Sequence, residues 1–316
     1  MTDGSTPAPE AAPPPLPWRV RGARTVTGFL SPAVRRVAND RGIDVATLVG
    51  RTGSGAQGRL TVGDVGDFGD LGGVDLRPTG DERVPFNRVQ ARAGVALLAS
   101  TQTAAHALTV VECDYSAVEV ARRAWRERFR AEEGFSLTYL PFAARAVVDA
   151  LRDFSLFNAT MGDESLVLSR GVGLGIAVDL DHQGLVVPVV HDADSLRLRA
   201  LARAIDDVAR RARSKRLTPD DTAGGTFTVT NPGGYGTEIS VPIINRPQVG
   251  ILSTDGVRKR VVAAAGADGD NDALAIRPTG FLCLSFDHRA IDGAYAGAFA
   301  GRVREILEGR DWLTEL

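Results

Sequence analysis

Of the four histidines in the chain, His288 has the sequence surroundings best suited to catalysis. It lies in the segment FDHRAIDG, between an apolar run that predicts a buried strand and a pattern that predicts a helix from Gly293. In α/β folds, chemistry concentrates where strands end and helices begin. A histidine there suits deprotonation of a thiol or a hydroxyl near neutral pH. The alternative is that His288 only caps a turn, with Asp292 favoured by the dipole of the following helix.

A second candidate is Thr230, near the end of a strand predicted over 226–231. The strand runs into Pro-Gly-Gly, a turn with exposed backbone amides. Hydroxyl and amide groups at such a place can stabilise an oxyanion. A plain turn made of good turn residues is the alternative interpretation.

The elements that must position these residues belong to an α/β domain with a mixed sheet, predicted over 83–316. Its sequence alternates between helical and strand periodicity, which is typical of a single large domain of this class. The predicted helices cover 84–107, 116–133, 140–154, 196–215 and 293–309, and the predicted strands cover 108–115, 171–180, 184–190, 226–231, 249–257 and 280–286.

Residues 29–66 indicate a small two-helix domain between two linkers. Ser31 and Pro32 form a typical helix opening, with apolar residues continuing to Asn39 and a stop at Gly42. After a glycine-rich loop, Thr61 and Asp64 form a capping pair for a second helix through Val65. The proline-rich stretch 1–28 and the glycine- and aspartate-rich stretch 67–82 are predicted linkers.

The composition excludes several functional classes. Hydrophobic residues make up 44% of the chain, charged residues make up 24%, and the net charge is −2, which gives no electrostatic footprint for nucleic acid. No apolar stretch has the roughly 20 residues that a membrane-spanning helix needs. Two cysteines without a cysteine neighbour at metal spacing predict neither a disulfide framework nor a metal site. The default expectation is a cytoplasmic protein.

Four segments together resemble the dihydrolipoamide acyltransferases, the core components of 2-oxo acid dehydrogenase complexes. FDHRAIDGAYAGAF, from 286 to 299, is similar to the family's terminal active-site motif. GGTFTVTNPGGYGTEISVPIINRPQVGILS, from 224 to 253, is similar to its second motif. GLGIAVDLDHQGLVVPVV, from 173 to 190, resembles its central strand pair. FLSPAVRRVANDRGIDV with GSGAQGRLTVGDV resembles the peripheral-subunit-binding domain that precedes the catalytic domain.

The resemblance implies a chloramphenicol-acetyltransferase-like fold that assembles as homotrimers or multiples of trimers, with active sites between subunits. It implies that His288 takes the thiol proton of coenzyme A, which is a substrate. It also implies that Thr230 of the neighbouring subunit stabilises the oxyanion formed from an acyl-dihydrolipoyl thioester. Asp292 is expected to orient the site through an ion pair, for which Arg88 and Arg92 are both candidates.

The implied partners are a 2-oxo acid decarboxylase component and dihydrolipoamide dehydrogenase. Arg35, Arg36 and Arg59 match the basic positions with which the small domain of the family binds acidic surfaces of these enzymes. A solvated arginine face is the alternative.

The lysine content departs from the family pattern. Family members normally begin with lipoyl domains, each carrying a lipoylated lysine, whereas the only lysines here are Lys215 and Lys259. No lipoyl-lysine is therefore expected in this chain, and the lipoyl group is expected from a separate protein, unless the chain is a truncation. Two alternatives stay open: a non-lipoyl coenzyme A acyltransferase of the same fold, and a catalytically idle scaffold or subunit-binding component.

Overall fold

The computed structural model describes residues 30–40, 45–48, 53–55, 59–69, 84–264 and 272–316. The chain divides into two compact units, Met1–Val84 and Pro85–Leu316, each with its own hydrophobic core. The predicted linker over 1–28, the predicted helix stop at Gly42 and most of the predicted linker over 67–82 lie outside the described residues.

The small unit holds two helices, α1 (Pro32–Asp40) and α2 (Val62–Gly69), and the 3-10 helix Val45–Leu48. Both predicted caps are present. The Ser31 Oγ accepts a hydrogen bond from the Val34 amide (3.3 Å), and the Thr61 Oγ1 accepts one from the Asp64 amide (3.3 Å). α2 continues beyond the predicted end at Val65. The core of this unit consists of Leu30, Val34, Ala38, Leu48 and Val65.

The helices of the large unit begin and end where the local chemistry favours it. The first begins after Asn87, whose side chain accepts hydrogen bonds from the amides of Val89 and Gln90, each at 2.9 Å. The second ends at Gly134, which adopts the left-handed conformation (φ +79°) that glycine tolerates best. The helices are α3 (Arg88–Thr103), α4 (Ser116–Glu133), α5 (Leu140–Asp153), α6 (Leu198–Arg213) and α7 (Gly293–Gly309).

Eleven strands are described in the large unit, several of them only two or three residues long. They are β1 (His106–Asp114), β2 (Ala159–Met161), β3 (Leu166–Leu168), β4 (Leu174–Ile176), β5 (Val178–Asp179), β6 (Leu185–Val186), β7 (Val189–Val190), β8 (Phe227–Thr230), β9 (Gly250–Thr254), β10 (Arg258–Ala264) and β11 (Ala273–Asp287). Short 3-10 helices cover Ser155–Phe157, Ala193–Ser195, Asp220–Thr222, Gly233–Tyr235 and Trp312–Glu315.

The main sheet is mixed, as predicted. Its strand order is β1-β11-β9-β8-β4-β7, with β10 paired to the first half of β11. β11 is antiparallel to both β1 and β9, whereas β9, β8 and β4 run parallel to one another. β2 with β3, and β5 with β6, form two small antiparallel ribbons.

The core of the large unit lies between the sheet and the helices packed on it, in particular α5 and α7. The rings of Phe157 and Phe299 lie 4.4 Å apart between centroids, and Phe227 of β8 lies 5.6 Å from Phe299. Gly250 is needed here, because a Cβ at this position would lie 2.9 Å from the ring of Phe157. This packing holds the start of β9 and the first residue of β8 near α7.

The strand prediction missed β2, β3 and β10 and misplaced the start of β11. The strand predicted over 280–286 begins seven residues earlier, at Ala273, and β10 was not predicted. The missed residues of β11 pair with β10 in a ribbon that leaves Val261, Leu274 and Ile276 exposed, and only Thr279 among them also pairs with β1, at Asp114. The prediction relied on continuous burial, which is absent in this ribbon.

Candidate active site

Thr230 is the last residue of β8 and lies at the rim of the sheet, half-buried. The turn after it is held by Asn231, whose Oδ1 accepts a hydrogen bond from the Gly233 amide (2.9 Å). Gly233 packs so closely on the next strand connection that a Cβ would lie 2.7 Å from the backbone nitrogen of Gly256. The predicted turn is therefore present, and its packing holds Thr230 in a defined position.

Two cavities meet at Thr230. One has a volume of about 350 Å³ and is lined mainly by apolar side chains, among them Leu97, Val187 and Val241. The other has a volume of about 330 Å³ and a more polar lining that includes His182. The hydroxyl-bearing residue thus borders space large enough for substrate on both sides.

His288 follows β11 directly and is exposed. Its amide donates to the Ala105 carbonyl oxygen (2.8 Å), and its ring centroid lies 5.6 Å from that of Phe286. Asp287, only 3% exposed, accepts hydrogen bonds from the Ala105 amide (3.2 Å) and the Arg289 guanidinium (2.6 Å). Burial acts to raise the pKa of the Asp287 carboxyl, but these hydrogen bonds outweigh it and hold the pKa below its ordinary value. The ionised carboxylate fixes the turn that presents His288.

Asp292 is the N-cap of α7. Its carboxylate accepts a hydrogen bond from the Tyr295 amide (2.7 Å). The expected ion pair with Arg88 or Arg92 is not formed within the described residues of one chain. The arginine that pairs in this turn is Arg289, and its partner is Asp287. The order of the residues explains the difference, since an acidic residue just before a helix finds its donors in the free amides of the first turn.

The fold separates Thr230 from His288 within one chain. Thr230 lies opposite Ser253 on β9, and Ser253 lies opposite Cys283 on β11. His288 is five residues farther along the antiparallel β11. At about 3.3 Å per residue and about 4.8 Å per strand spacing, the two Cα atoms are roughly 20 Å apart. One chain therefore presents the hydroxyl and the imidazole at opposite ends of the sheet.

The structure contains a buried polar cluster beside Thr230 that sequence analysis missed. Asp255, 3% exposed, accepts hydrogen bonds from the hydroxyls of Ser240 (2.6 Å) and Ser253 (3.0 Å). Ser240 and Ser253 lie within the motif segment 224–253 and Asp255 follows it, but only the tertiary structure brings the three side chains together. Ser240 also lines the apolar cavity.

In the small unit, the three arginines expected to bind partners are all exposed. Arg35 and Arg36 lie on α1, and Arg59 precedes α2. Arg35 also donates a hydrogen bond to the Leu30 carbonyl oxygen (3.3 Å).

Among the residues that the structure describes, no group of three or more histidine, cysteine, aspartate or glutamate side chains is arranged to hold a metal ion. None of the described helices combines the length and apolarity needed to cross a membrane.

Comparison with known proteins places both units. The sequence model of the family described as "2-oxoacid dehydrogenases acyltransferase (catalytic domain)" matches residues 78–314, and that of the "e3 binding domain" matches residues 28–66. The chain belongs to the 2-oxoacid dehydrogenase acyltransferase family. It is accordingly a transferase, and the family that the sequence motifs resemble is confirmed.

Curated relatives of this acyltransferase come from several kinds of complex. A lipoamide acyltransferase component of the branched-chain alpha-keto acid dehydrogenase complex from Bacillus subtilis is 33% identical, over 90% of this chain and 72% of the relative. A dihydrolipoyllysine-residue acetyltransferase component of the pyruvate dehydrogenase complex from Mycobacterium tuberculosis is 34% identical, over 88% of this chain but only 54% of the relative.

Solved structures of family members agree with the large unit of the acyltransferase. A probable dihydrolipoamide acetyltransferase from Listeria monocytogenes is 35% identical, with a TM-score of 0.69 over 73% of this chain and 95% of that one. The dihydrolipoamide acetyltransferase of Azotobacter vinelandii, studied for the catalytic role of a serine, a histidine and an asparagine, is 30% identical, with a TM-score of 0.68 over 74% and 96%. The predicted fold class is confirmed: a chloramphenicol-acetyltransferase-like α/β domain after a small subunit-binding domain.

Proposed function

We propose that this acyltransferase moves an acyl group between a dihydrolipoyl group and coenzyme A within a 2-oxo acid dehydrogenase complex. The names of its curated relatives refer to lipoamide or dihydrolipoyllysine acyltransferases of such complexes. One observation carries the assignment of the site. Thr230 has the hydroxyl and His288 the imidazole that acyl transfer needs, and their positions at opposite ends of one sheet support a site shared between two chains.

In the forward direction, the imidazole of His288 removes the thiol proton of coenzyme A. The thiolate then attacks the carbonyl carbon of the acyl-dihydrolipoyl thioester, and the carbonyl oxygen becomes an oxyanion that accepts a hydrogen bond from the Thr230 hydroxyl. Collapse of this intermediate breaks the bond to the dihydrolipoyl sulfur, which takes the proton back from the imidazolium. General-base catalysis contributes about 10²- to 10⁴-fold, and one oxyanion donor about 10²- to 10³-fold.

The apolar cavity beside Thr230 suits the dihydrolipoyl end of the acyl donor. That end is a hydrocarbon chain with two sulfurs, and Leu97, Val187 and Val241 offer it an apolar lining. The phosphates of coenzyme A are charged and gain nothing from such a lining, so coenzyme A approaches from the His288 side. Coenzyme A is a substrate here, and no metal takes part in the proposed step.

The lipoyl group is carried by a lysine outside these 316 residues. Lys215 follows α6 and Lys259 lies in β10, so both belong to the catalytic unit and not to a separate carrier domain. A carrier that swings between active sites needs a mobile attachment, which a strand residue does not provide.

The subunits assemble as homotrimers or multiples of trimers. A solved relative with a TM-score of 0.68 forms the cubic core of a pyruvate dehydrogenase multienzyme complex. In such an assembly, His288 of one subunit faces Thr230 of the next.

The small unit binds the dehydrogenase and decarboxylase components through Arg35, Arg36 and Arg59. The match to the e3 binding domain and the exposure of these three side chains support this role. Replacing Arg35 and Arg36 with glutamate is expected to abolish binding of dihydrolipoamide dehydrogenase in calorimetry, whereas the exposed Arg126 of α4 serves as a matched control.

The decisive experiment is an acyl-transfer assay with the purified protein, coenzyme A and S-acyl-dihydrolipoamides. Wild type is expected to transfer the acyl group, and His288→Ala is expected to fall by about 10²- to 10⁴-fold. Transfer by wild type to alcohols or amines, but not between these thiols, would favour a non-lipoyl acyltransferase. Equal rates for wild type, His288→Ala and the uncatalysed reaction would leave only a scaffold role.

A further inference from the structure

Asp255 is a buried carboxylate that the proposed reaction leaves without a task. Its side chain is 3% exposed, and both oxygens accept hydrogen bonds from serine hydroxyls. Among the residues that the structure describes, no lysine, arginine or histidine forms an ion pair with it. A carboxylate withdrawn from water is costly unless its oxygens find donors. The hydroxyls of the two serines therefore offset the cost of burying the Asp255 carboxylate.

One of the two serines lies directly beside the proposed oxyanion donor. Ser253 is fully buried in β9, at the ladder position opposite Thr230. The backbone of Asp255 and Gly256 also supports the turn after Thr230, since Gly233 packs directly against it. Asp255 is thus joined to the surroundings of Thr230 through a side chain and through the main chain.

The other serine lies in the irregular segment 231–249, which forms one wall of the apolar cavity. Ser240 and Val241 of this segment line the cavity. Apart from a 3-10 turn and one isolated bridge at Gln248, the segment has no regular hydrogen-bonded structure. Toward its end it is held by the Ser100 hydroxyl, which donates to the Ile244 carbonyl oxygen (2.7 Å).

Near its middle, a side-chain hydrogen bond ties this segment to a buried carboxylate. The Ser240 hydroxyl donates to the Asp255 Oδ1 (2.6 Å). A backbone bond from the Gly256 amide to the Thr237 carbonyl oxygen (2.8 Å) runs beside it. The same stretch is also held to β10, since Glu238 pairs with Arg258 (2.9 Å) and Arg260 (3.2 Å), whereas the Ser240 hydrogen bond reaches the residue directly after β9.

We propose that Asp255 is a positioning residue of the acyl-transfer site. One carboxylate oxygen binds Ser240 in the cavity wall, and the other binds Ser253 in the strand beside Thr230, so that the wall is held against this strand. The proposal rests on the proposed function for the identity of the substrate in the cavity. The role of Asp255 in holding the cavity wall does not depend on the proposed function, because it is a property of the substrate-free protein.

The kinetic test compares Asp255→Ala, Asp255→Asn and Ser240→Ala in the acyl-transfer assay. Asp255→Ala is expected to raise the KM for S-acetyl-dihydrolipoamide about tenfold, the loss that follows from removing a hydrogen bond to a charged group. The KM for coenzyme A stays unchanged. Ser240→Ala raises the same KM, and Asp255→Asn, which offers each serine a partner, recovers most of the loss. The double variant of Asp255 and Ser240 is no worse than Asp255→Ala alone.

Asp149→Ala provides a matched control, because Asp149 of α5 also pairs inside the protein, with Arg145 and Arg310, away from Thr230. A merely destabilising change lowers the active fraction and hence kcat, without moving a KM. If Asp255→Ala fails to fold, Ser240→Ala still tests whether the hydrogen bond between Ser240 and Asp255 holds the cavity wall. An unchanged KM in Ser240→Ala and Asp255→Ala would overturn the proposal.

Hydrogen–deuterium exchange separates this proposal from the proposed function. In the substrate-free protein, amides between Thr237 and Ile244 are expected to exchange faster in Ser240→Ala and Asp255→Ala than in wild type or Asp149→Ala. Faster exchange together with an inactive wild type would refute the proposed function but support the positioning role of Asp255. An active wild type with unaltered exchange in both variants would refute only the positioning role of Asp255.

Discussion

The proposed reaction assigns different kinds of chemistry to Thr230 and His288, and the structure positions the two residues differently. Thr230 is half-buried at a strand end, with its following turn locked by Asn231 and Gly233. His288 is exposed on a turn fixed by Asp287. An oxyanion donor is effective only when it is already in place as charge develops, which matches the rigid setting of Thr230. A base must meet an incoming thiol, which matches the accessible setting of His288.

At this scale, Thr230→Ala is expected to lower kcat by about 10²- to 10³-fold, or about 2.7 to 4 kcal/mol of transition-state stabilisation. The KM for coenzyme A stays nearly unchanged, since the hydroxyl acts mainly on the transition state. Steady-state kinetics with both substrates measures this. Thr230→Ser, which keeps a hydroxyl, is the control and should retain most of the rate. A Thr230→Ala enzyme with wild-type kcat would exclude Thr230 as the donor.

The sequence predicts His288 and Thr230 as candidate site residues because each lies inside a contiguous motif whose local structure follows from its own residues. It did not identify Asp255. The partners of Asp255, Ser240 and Ser253, reach it only after β9 has paired and the segment before it has folded back. Motifs record what is local in the chain, whereas a buried hydrogen-bond cluster is a product of tertiary packing.

At the scale of elements, the predictions succeed where burial and periodicity agree. α4 and α7 have the predicted bounds, because each has one buried face and a clear cap or stop. β10 and the first half of β11 escaped prediction, because their apolar residues face solvent and so leave no burial pattern. An ion pair of Asp292 was expected, whereas within one chain the carboxylate caps α7.

The cap of α7 can be tested through stability. Asp292→Ala removes the side-chain acceptor of the Tyr295 amide and is expected to lower the free energy of unfolding by about 1 kcal/mol. Asp292→Ser, which also accepts from the first turn, should recover most of it in chemical denaturation. A Ser variant that is stable yet slow in acyl transfer would reveal a second partner of the carboxylate in the assembled protein. An Ala variant as stable as wild type would contradict the capping role.

The loop before α2 should respond to acid. Hydrogen bonds from Ser54, Thr61 and their amides lower the pKa of Asp64 to about 2. Because the folded pKa lies below the ordinary 3.8, the carboxylate stabilises the small unit above about pH 4 and loses this effect as the pH falls toward 2. The methyl signals of Val34 and Val65 in NMR spectra are expected to report this loss. Asp64→Asn should lack the pH dependence in this range. An identical acid response in both proteins would show that another group controls it.

At the scale of the whole molecule, the separation of the two proposed catalytic residues predicts complementation between subunits. His288→Ala and Thr230→Ala proteins are each expected to be nearly inactive. When they are mixed, unfolded and refolded together, hybrid trimers contain some interfaces with an intact His288 facing an intact Thr230. Activity should therefore return in the mixture but not in either parent refolded alone.

Sedimentation and mass spectrometry verify that hybrids have formed in that experiment. Hybrid trimers as inactive as both parents would show that the two residues do not share a site across the interface. A monomeric wild type with full activity would show the same.

The two cysteines, Cys113 and Cys283, are free and buried, and burial raises the pKa of both thiols, that of Cys283 to about 11. Thioesters exchange readily with thiolates, so an exposed cysteine would intercept acyl groups on their way between two carriers. The folded chain offers no such competing nucleophile, since the sequence has no other cysteine. Every reactive sulfur in the transfer is then a substrate sulfur, and no acyl group is lost to a cysteine of the folded enzyme.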